Sequence, residues 1–227
     1  MPDPLPLAVL ISGSGSNLQA LIDARHRGDT ACSIEVVIAD RADAGGLERA
    51  RVAGIETRVV AWSDHPDRTS FTEAVCNAAG EFRVSGLVLA GFMRILSPLA
   101  VERYPDAIIN VHPALLPAFP GARAVEAALE YGVAVTGVTV HFIDEEVDHG
   151  PIIAQEAVRV LPDDDAATLH ARIQAVEHRL LPEVVDAFCR GSITVDGRHV
   201  AIETAHAPPI GQTSQTSQTS QTSQVVA

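Results

Sequence analysis

The chain has 227 residues, of which 47% are hydrophobic and 4% aromatic, and its formal net charge is −13 at pH 7. This length accommodates one sizeable domain, or two small ones that share a core. The acidic balance argues against broad binding to nucleic acid or to anionic membranes, because both need a basic surface.

Five apolar runs in the first half of the chain are typical of buried strands, and they span residues 7–11, 33–39, 57–61, 87–90 and 107–111. Segments with helical periodicity separate several of them, namely a helix from about residue 18 and others at 46–53 and 69–79. The alternation of strand and helix predicts right-handed crossovers. We therefore expect an α/β fold, a mostly parallel twisted sheet with helices on both faces, as in Rossmann-like proteins.

The pattern changes after residue 110. Two longer β-like runs, at residues 133–143 and 152–160, follow one another and predict a C-terminal part with antiparallel strands. A long helix comes next, with apolar residues at intervals of four, three and four: Leu169, Ile173, Val176 and Leu180. Short apolar runs around Asp196-Gly197 then predict a hairpin on an Asp-Gly turn.

We predict a single domain over residues 1–205, with one half at about 1–110 and the other at about 111–205. Residues 206–227 contain repeats of Gln-Thr-Ser. This tail is predicted to be disordered, because it has too few apolar residues to offset the entropy of ordering.

Three cysteines, Cys32, Cys76 and Cys189, are widely spaced and form no Cys-x-x-Cys pair. They argue against a disulfide framework or a zinc site and favour reduced thiols. The N-terminus lacks the basic start of a secretory signal, and no apolar segment reaches the roughly 18 residues of a membrane span. We therefore expect a cytoplasmic protein.

A glycine-rich loop, Gly13-Ser14-Gly15-Ser16-Asn17, joins the first predicted strand to the first predicted helix. Glycines permit a tight turn and close approach to a ligand, and a helix start presents free N–H groups with partial positive charge. A dinucleotide site would need glycine in place of Leu18, and a P-loop would need a lysine. The loop therefore favours a phosphate monoester over NAD or ATP; the alternative is a tight turn capped by Ser16 or Asn17.

Two polar side chains, Asn110 and His112, stand two residues apart at the end of the fifth predicted strand, before Pro113. Side chains at this spacing point to the same face of a strand, and proline stops regular pairing. They would direct two hydrogen-bond donors at one point, which suits an oxygen that gains negative charge during acyl transfer. Asp148, before a Gly-Pro turn, adds a carboxylate. The three side chains predict a site that moves a small acyl group, although each alone could be structural.

Residues 110–117, Asn-Val-His-Pro-Ala-Leu-Leu-Pro, resemble the signature Asn-x-His-Pro-Ser-Leu-Leu-Pro of the folate-dependent formyltransferases. That superfamily also carries an aspartate before a Gly-Pro, as at Asp148. Residues 11–20, 46–50 and 89–98 extend the similarity to the branch that formylates glycinamide ribonucleotide in purine synthesis. The resemblance covers about residues 7–200 of the chain.

This resemblance implies that a formyl group passes from 10-formyltetrahydrofolate, the co-substrate, directly to the amine of glycinamide ribonucleotide, without a metal. Asn110 and His112 would stabilise the oxyanion, and Asp148 would hold His112 and raise its pKa. The substrate phosphate would be held by Gly15, Ser16 and Asn17, and Glu177 would lie near the substrate amine. The implied folate-binding residues are Arg68, Met93, Arg94, Ile95, Leu96, Asn110, Asp144, Glu145, Glu146, Val147 and Asp148.

Several alternatives stay open. Arg68 could be a solvated residue at a helix end, and Glu177 a surface carboxylate. His141 is expected to pack or to hydrogen-bond near Asp148, since its spacing from His149 matches no metal motif.

At the level of function, a 10-formyltetrahydrofolate hydrolase shares the Asn, His and Asp, but it carries an N-terminal regulatory domain and lacks the glycine loop. A methionyl-tRNA formyltransferase needs a basic extension, which the C-terminal end of this chain does not offer. A folate or nucleotide sensor could keep the fold without catalysis. We expect small-molecule substrates, neither nucleic acid nor membrane as a partner, and a monomer or homodimer.

Overall fold

Nine strands and six helices succeed one another in residues 4–203, the part of the chain that the computed structural model describes. The strands are β1 (Leu5–Ile11), β2 (Cys32–Ala39), β3 (Glu56–Val59), β4 (Gly86–Leu89), β5 (Ile108–His112), β6 (Val135–Phe142), β7 (Ile152–Arg159), β8 (Ile193–Asp196) and β9 (His199–Ile202). The helices are α1 (Ser16–Arg27), α2 (Gly46–Val52), α3 (Arg68–Gly80), α4 (Pro98–Arg103), α5 (Ala124–Tyr131) and α6 (Ala166–Cys189). The tail predicted at 206–227 lies outside the described residues.

Seven strands form one sheet in the order β3-β2-β1-β4-β5-β6-β7. Strands β1 to β5 pair in parallel, whereas β6 pairs antiparallel with both β5 and β7. This confirms the predicted mostly parallel sheet with antiparallel strands in the C-terminal part. The strand order reverses between β1 and β4, so a crevice forms beyond their carboxyl ends, where ligands bind in such sheets.

Helices cover both faces of the sheet, and β1 shows why its sequence is a continuous apolar run. Leu7, Val9 and Ile11 pack into a core that α1, α2 and α6 complete, whereas Ala8 and Leu10 pack into a second core under α3 and α4. A strand with both faces buried has no polar alternation. The prediction of helices on both faces is confirmed.

Several local predictions differ from the structure. Helices α4 and α5 were not predicted, since at six and eight residues they are too short to show a sustained helical period. Strands β8 and β9 form the expected hairpin, but Asp196 pairs with His199, so its two-residue loop is Gly197-Arg198 rather than Asp196-Gly197. Gly197 has a φ of 58°, and glycine adopts this left-handed conformation without strain.

Candidate active site

The structure brings the three predicted catalytic side chains together at the end of β5. Asn110 and His112 point to the same face, and Asp148 lies on the loop between β6 and β7. Nδ1 of His112 lies 3.3 Å from Oδ2 of Asp148, and Nδ2 of Asn110 lies 3.4 Å from Oδ1 of the same carboxylate. One carboxylate thus contacts both donors.

Tight packing holds Asp148 in place. Its φ of 52° lies in the left-handed region, which aspartate adopts more often than most residues. The N–H of Gly121 donates to Oδ2 of Asp148 at 2.7 Å. Two residues later, a Cβ on Gly150 would come within 2.0 Å of the carbonyl oxygen of Phe142, so only glycine fits there. The loop that carries Asp148 therefore packs closely against the end of β6, and this packing fixes the position of the loop.

His112 is almost fully buried, with 5% of its side chain exposed. Its Nε2 lies 2.8 Å from the carbonyl oxygen of Phe119, which can only accept, so Nε2 carries a hydrogen and donates. Burial lowers the pKa of His112, and the opposing charge of Asp148 only partly offsets this. Asp148 therefore raises the pKa of His112 as expected, but desolvation of the ring outweighs this effect and the net shift is downward.

His141 positions Asn110 from the neighbouring strand. The two residues lie directly opposite each other in the β5–β6 pair, and Nε2 of His141 lies 3.1 Å from Nδ2 of Asn110. The other ring nitrogen, Nδ1, lies 2.7 Å from the carbonyl oxygen of Phe142 and donates to it. The ring also lies 3.7 Å from Asp148, so it hydrogen-bonds beside that carboxylate as expected.

The carboxylate itself is ionised at neutral pH. Burial would raise the pKa of Asp148, but the nearby His141 ring, the Gly121 N–H and the charge of His112 hold it below its ordinary value. The site therefore combines a carboxylate charge with two hydrogen-bond donors.

A cavity of about 280 Å³ opens beside these side chains. All the predicted folate-binding residues except Arg68 line it, namely Met93, Arg94, Ile95, Leu96, Asn110, Asp144, Glu145, Glu146, Val147 and Asp148. Arg68 is exposed at the first residue of α3 and is not among the lining residues. The apolar residues Met93, Ile95 and Val147 are 65%, 52% and 48% exposed, so the cavity offers apolar surface to a flat ligand.

The glycine loop forms the start of α1. Gly15 is the N-cap residue, with a left-handed φ of 73°, and no side chain caps the helix. The alternative in which Ser16 or Asn17 is the cap is therefore wrong, and the N–H groups of the first turn keep no intrahelical partner. A Cβ on Gly15 would lie 2.6 Å from Cα of Gly46, so the loop presses against the start of α2.

Glu177 reaches the same loop from α6. It is buried, and its Oε2 accepts a hydrogen bond of 3.0 Å from Nδ2 of Asn17, so the surface alternative for Glu177 is wrong. Asn17 thus turns its side chain inward and offers a phosphate only its backbone N–H. One turn earlier on the same face of α6, Nε2 of Gln174 lies 3.5 Å from Oγ of Ser16. Gln174 was not predicted, although it lies three residues before Glu177 and therefore on the same face of α6.

Residues 5–185 match the model of the formyl transferase family. The chain belongs to this family. The phosphoribosylglycinamide formyltransferase of Mycobacterium tuberculosis is 45% identical over 195 residues, which cover 86% of this chain and 90% of that protein. The human trifunctional purine biosynthetic protein adenosine-3 is 46% identical over 187 residues, but these are 82% of this chain and only 18% of that protein. The chain thus spans about a fifth of its trifunctional relatives.

Solved structures of formyl transferases share the fold. The glycinamide ribonucleotide transformylase 1 of Symbiobacterium toebii superposes with a TM-score of 0.87 at 45% identity, covering 89% of this chain and 95% of that one. A formyltetrahydrofolate deformylase from Pseudomonas syringae superposes with a TM-score of 0.82 at 26% identity, covering 88% of this chain and 66% of that one. The two matches cover similar shares of this chain, but they cover 95% of the transformylase and only 66% of the deformylase.

Residues 4–203 contain no group of three His, Cys, Asp or Glu side chains placed to hold a metal ion. None of the helices in that range is long and apolar enough to cross a membrane.

Proposed function

We propose that the protein transfers the formyl group of 10-formyltetrahydrofolate to the amine of glycinamide ribonucleotide. The observation that carries this proposal is the convergence of Asn110 and His112 on the single carboxylate of Asp148, at the wall of the cavity. The carboxylate holds both side chains in place, and donors held in place suit an oxygen that becomes an oxyanion. Each such donor contributes about 2.7–4 kcal/mol to lowering the barrier.

In the proposed reaction the formyl oxygen lies between Nδ2 of Asn110 and Nε2 of His112. In the structure the carbonyl oxygen of Phe119 accepts the hydrogen bond from Nε2, and the substrate oxygen is proposed to take its place. The amine attacks the formyl carbon, the bond from this carbon to N10 of the folate breaks, and the proton lost by the amine ends on N10. The N–H at Nε2 of His112 can donate to the oxyanion, while Asp148 contacts Nδ1 on the other side of the ring.

The substrate phosphate is proposed to bind at Gly15, Ser16 and Asn17. The free N–H groups and the positive end of the α1 dipole favour an anion there. Glu177 lies behind this loop through its hydrogen bond to Asn17, which supports a position near the ribonucleotide. Ser12, which directly precedes the loop, also contacts the cavity wall, since its Oγ accepts from the backbone N–H of Met93 at 2.8 Å.

One assay tests the proposal: the protein is mixed with 10-formyltetrahydrofolate, with and without glycinamide ribonucleotide, and release of tetrahydrofolate is followed. Release that requires the ribonucleotide supports the transferase. Release without it would identify a hydrolase, and no release from folded protein that binds both compounds would identify a sensor.

Asn110→Ala should lower turnover about 10²–10³-fold, the loss expected for one oxyanion donor, while folate affinity stays similar. Asn77→Ala, which changes an exposed asparagine of α3, is the control and should leave turnover unchanged. Unchanged formyl transfer by Asn110→Ala would place the catalytic centre elsewhere.

We also propose that residues 1–205 act as one catalytic unit, because a single sheet includes strands of both halves. The half at about 1–110 would bind the phosphate, and the half at about 111–205 would carry catalysis and the folate. A cytoplasmic location is proposed from the free thiols of Cys32, Cys76 and Cys189. A monomer or homodimer is proposed, and sedimentation equilibrium would distinguish the two.

A further inference from the structure

Asp40 is a buried carboxylate with an incomplete set of partners. It follows β2 directly, and only 1% of its side chain is exposed. Its Oδ2 accepts from Nε of Arg94 at 2.6 Å, whereas its Oδ1 is buried without a hydrogen-bond partner among residues 4–203. An unpaired buried oxygen destabilises the folded state. A role in stability therefore does not explain a carboxylate at this position. Its one side-chain partner, Arg94, indicates its role instead.

That partner, Arg94, belongs to the cavity. Its side chain is 37% exposed, and it is one of the residues that line the proposed folate site. The guanidinium carbon lies 5.3 Å from the centre of the Trp62 ring. The backbone N–H of Trp62 in turn donates to the backbone carbonyl oxygen of Asp40 at 3.2 Å. Arg94 is thus fixed on two sides, by a charge-assisted hydrogen bond and by an aromatic face.

This arrangement leaves the terminal amino groups of Arg94 available. Nε is used by Asp40, so Nη1 and Nη2 are the donors that remain for a ligand in the cavity that Arg94 lines. The preceding residue is fixed as well, because the N–H of Met93 donates to Oγ of Ser12. Ser12 follows β1 and Asp40 follows β2, so the ends of two neighbouring strands hold two successive residues of one cavity wall.

We propose that Asp40 is a positioning residue for the folate co-substrate. Its buried carboxylate fixes the plane of the Arg94 guanidinium against Trp62, so that the terminal amino groups face a hydrogen-bond acceptor of the bound folate. Asp40 itself touches no substrate, and this inference rests on the proposed function. A preorganised donor needs no ordering when the ligand binds, and the gain appears in affinity.

The test compares steady-state constants of Asp40→Ala and Asp40→Asn with those of the wild type. In Asp40→Ala the KM for 10-formyltetrahydrofolate should rise about tenfold, the effect of losing one charge-assisted contact. The kcat and the KM for glycinamide ribonucleotide should stay within about twofold, because the oxyanion donors and the phosphate loop are untouched. Asp40→Asn keeps an oxygen for Nε but loses the charge, so a smaller rise is expected.

Two further variants separate positioning from general damage. In an Arg94→Ala background, Asp40→Ala should raise the folate KM no further, because both changes remove one interaction. Asp43→Ala removes an exposed carboxylate of the same loop, which pairs with Arg41, and should change none of the constants. Additive effects of the Asp40 and Arg94 changes, or an equal rise in both KM values, would overturn the inference.

Calorimetric titration with tetrahydrofolate separates this inference from the proposed function, because it requires no turnover. A wild type that binds tetrahydrofolate but transfers no formyl group would refute only the function. A wild type that transfers the formyl group, with Asp40→Asn and Asp40→Ala binding tetrahydrofolate as tightly, would refute only the role of Asp40. The folded Asp40→Asn protein, verified by circular dichroism, decides the matter if Asp40→Ala does not fold.

Discussion

Gly15→Ala should damage the protein more than Gly28→Ala, although both glycines flank the same helix. Both have left-handed φ angles, 73° and 77°, and this conformation costs alanine about 1–2 kcal/mol. A Cβ on Gly28 would meet no atom within 4 Å, whereas a Cβ on Gly15 would lie 2.6 Å from Cα of Gly46. Backbone must move to relieve that contact, and such overpacking adds about 1–3 kcal/mol. We expect losses of about 2–5 kcal/mol for Gly15→Ala and about 1–2 for Gly28→Ala.

Urea unfolding of the two variants measures this difference, and enzyme kinetics measures its functional side. The movement forced on Gly15 displaces the N–H groups at the start of α1, so the KM for glycinamide ribonucleotide should rise in Gly15→Ala alone. The KM for 10-formyltetrahydrofolate should change in neither variant. Equal losses of stability, or an unchanged KM for the ribonucleotide in Gly15→Ala, would refute the proposed role of this loop.

Two more predictions concern the side chains of Asp148 and His112. Asp148→Asn should lower kcat about 10²–10³-fold with little change in either KM, because the carboxylate that orients both donors becomes an amide; initial rates near those of the wild type would contradict this. Burial lowers the pKa of the His112 ring in the folded protein, so the unfolded chain binds more protons in mild acid. The free energy of unfolding of the wild type should therefore fall as pH drops below about 6.5, and His112→Asn should make this fall smaller. Urea midpoints at pH 7.5 and 5.5 that change equally in both proteins would count against it.

The strands could be predicted from the sequence because their apolar runs are short and continuous. Helix α5 could not, since it has eight residues and its N-cap residue, Arg123, makes no capping hydrogen bond. Such a helix owes its stability to packing, here of the buried Ala124, Val125 and Ala128. These three positions share one face of the helix, but over eight residues, about two turns, such a pattern is too short to predict a helix.

The same limit applies to the site. Asn110 and His112 were predicted because the two-residue period of a strand is local. The inward turn of Asn17 could not be foreseen, because its partner Glu177 lies 160 residues further along the chain. The contact of Asp40 with Arg94 likewise exists only because crossovers bring the ends of β2 and β4 to one edge of the sheet.

The pKa of His112 also depends on the fold. The carboxylate 3.3 Å from Nδ1 raises this pKa, but burial of the ring has the larger effect and lowers it. The sequence places an aspartate and a histidine in the same motif set, yet it does not show how deeply the ring is buried. The net direction of the shift is decided by that burial, so it could not be predicted from the residues alone.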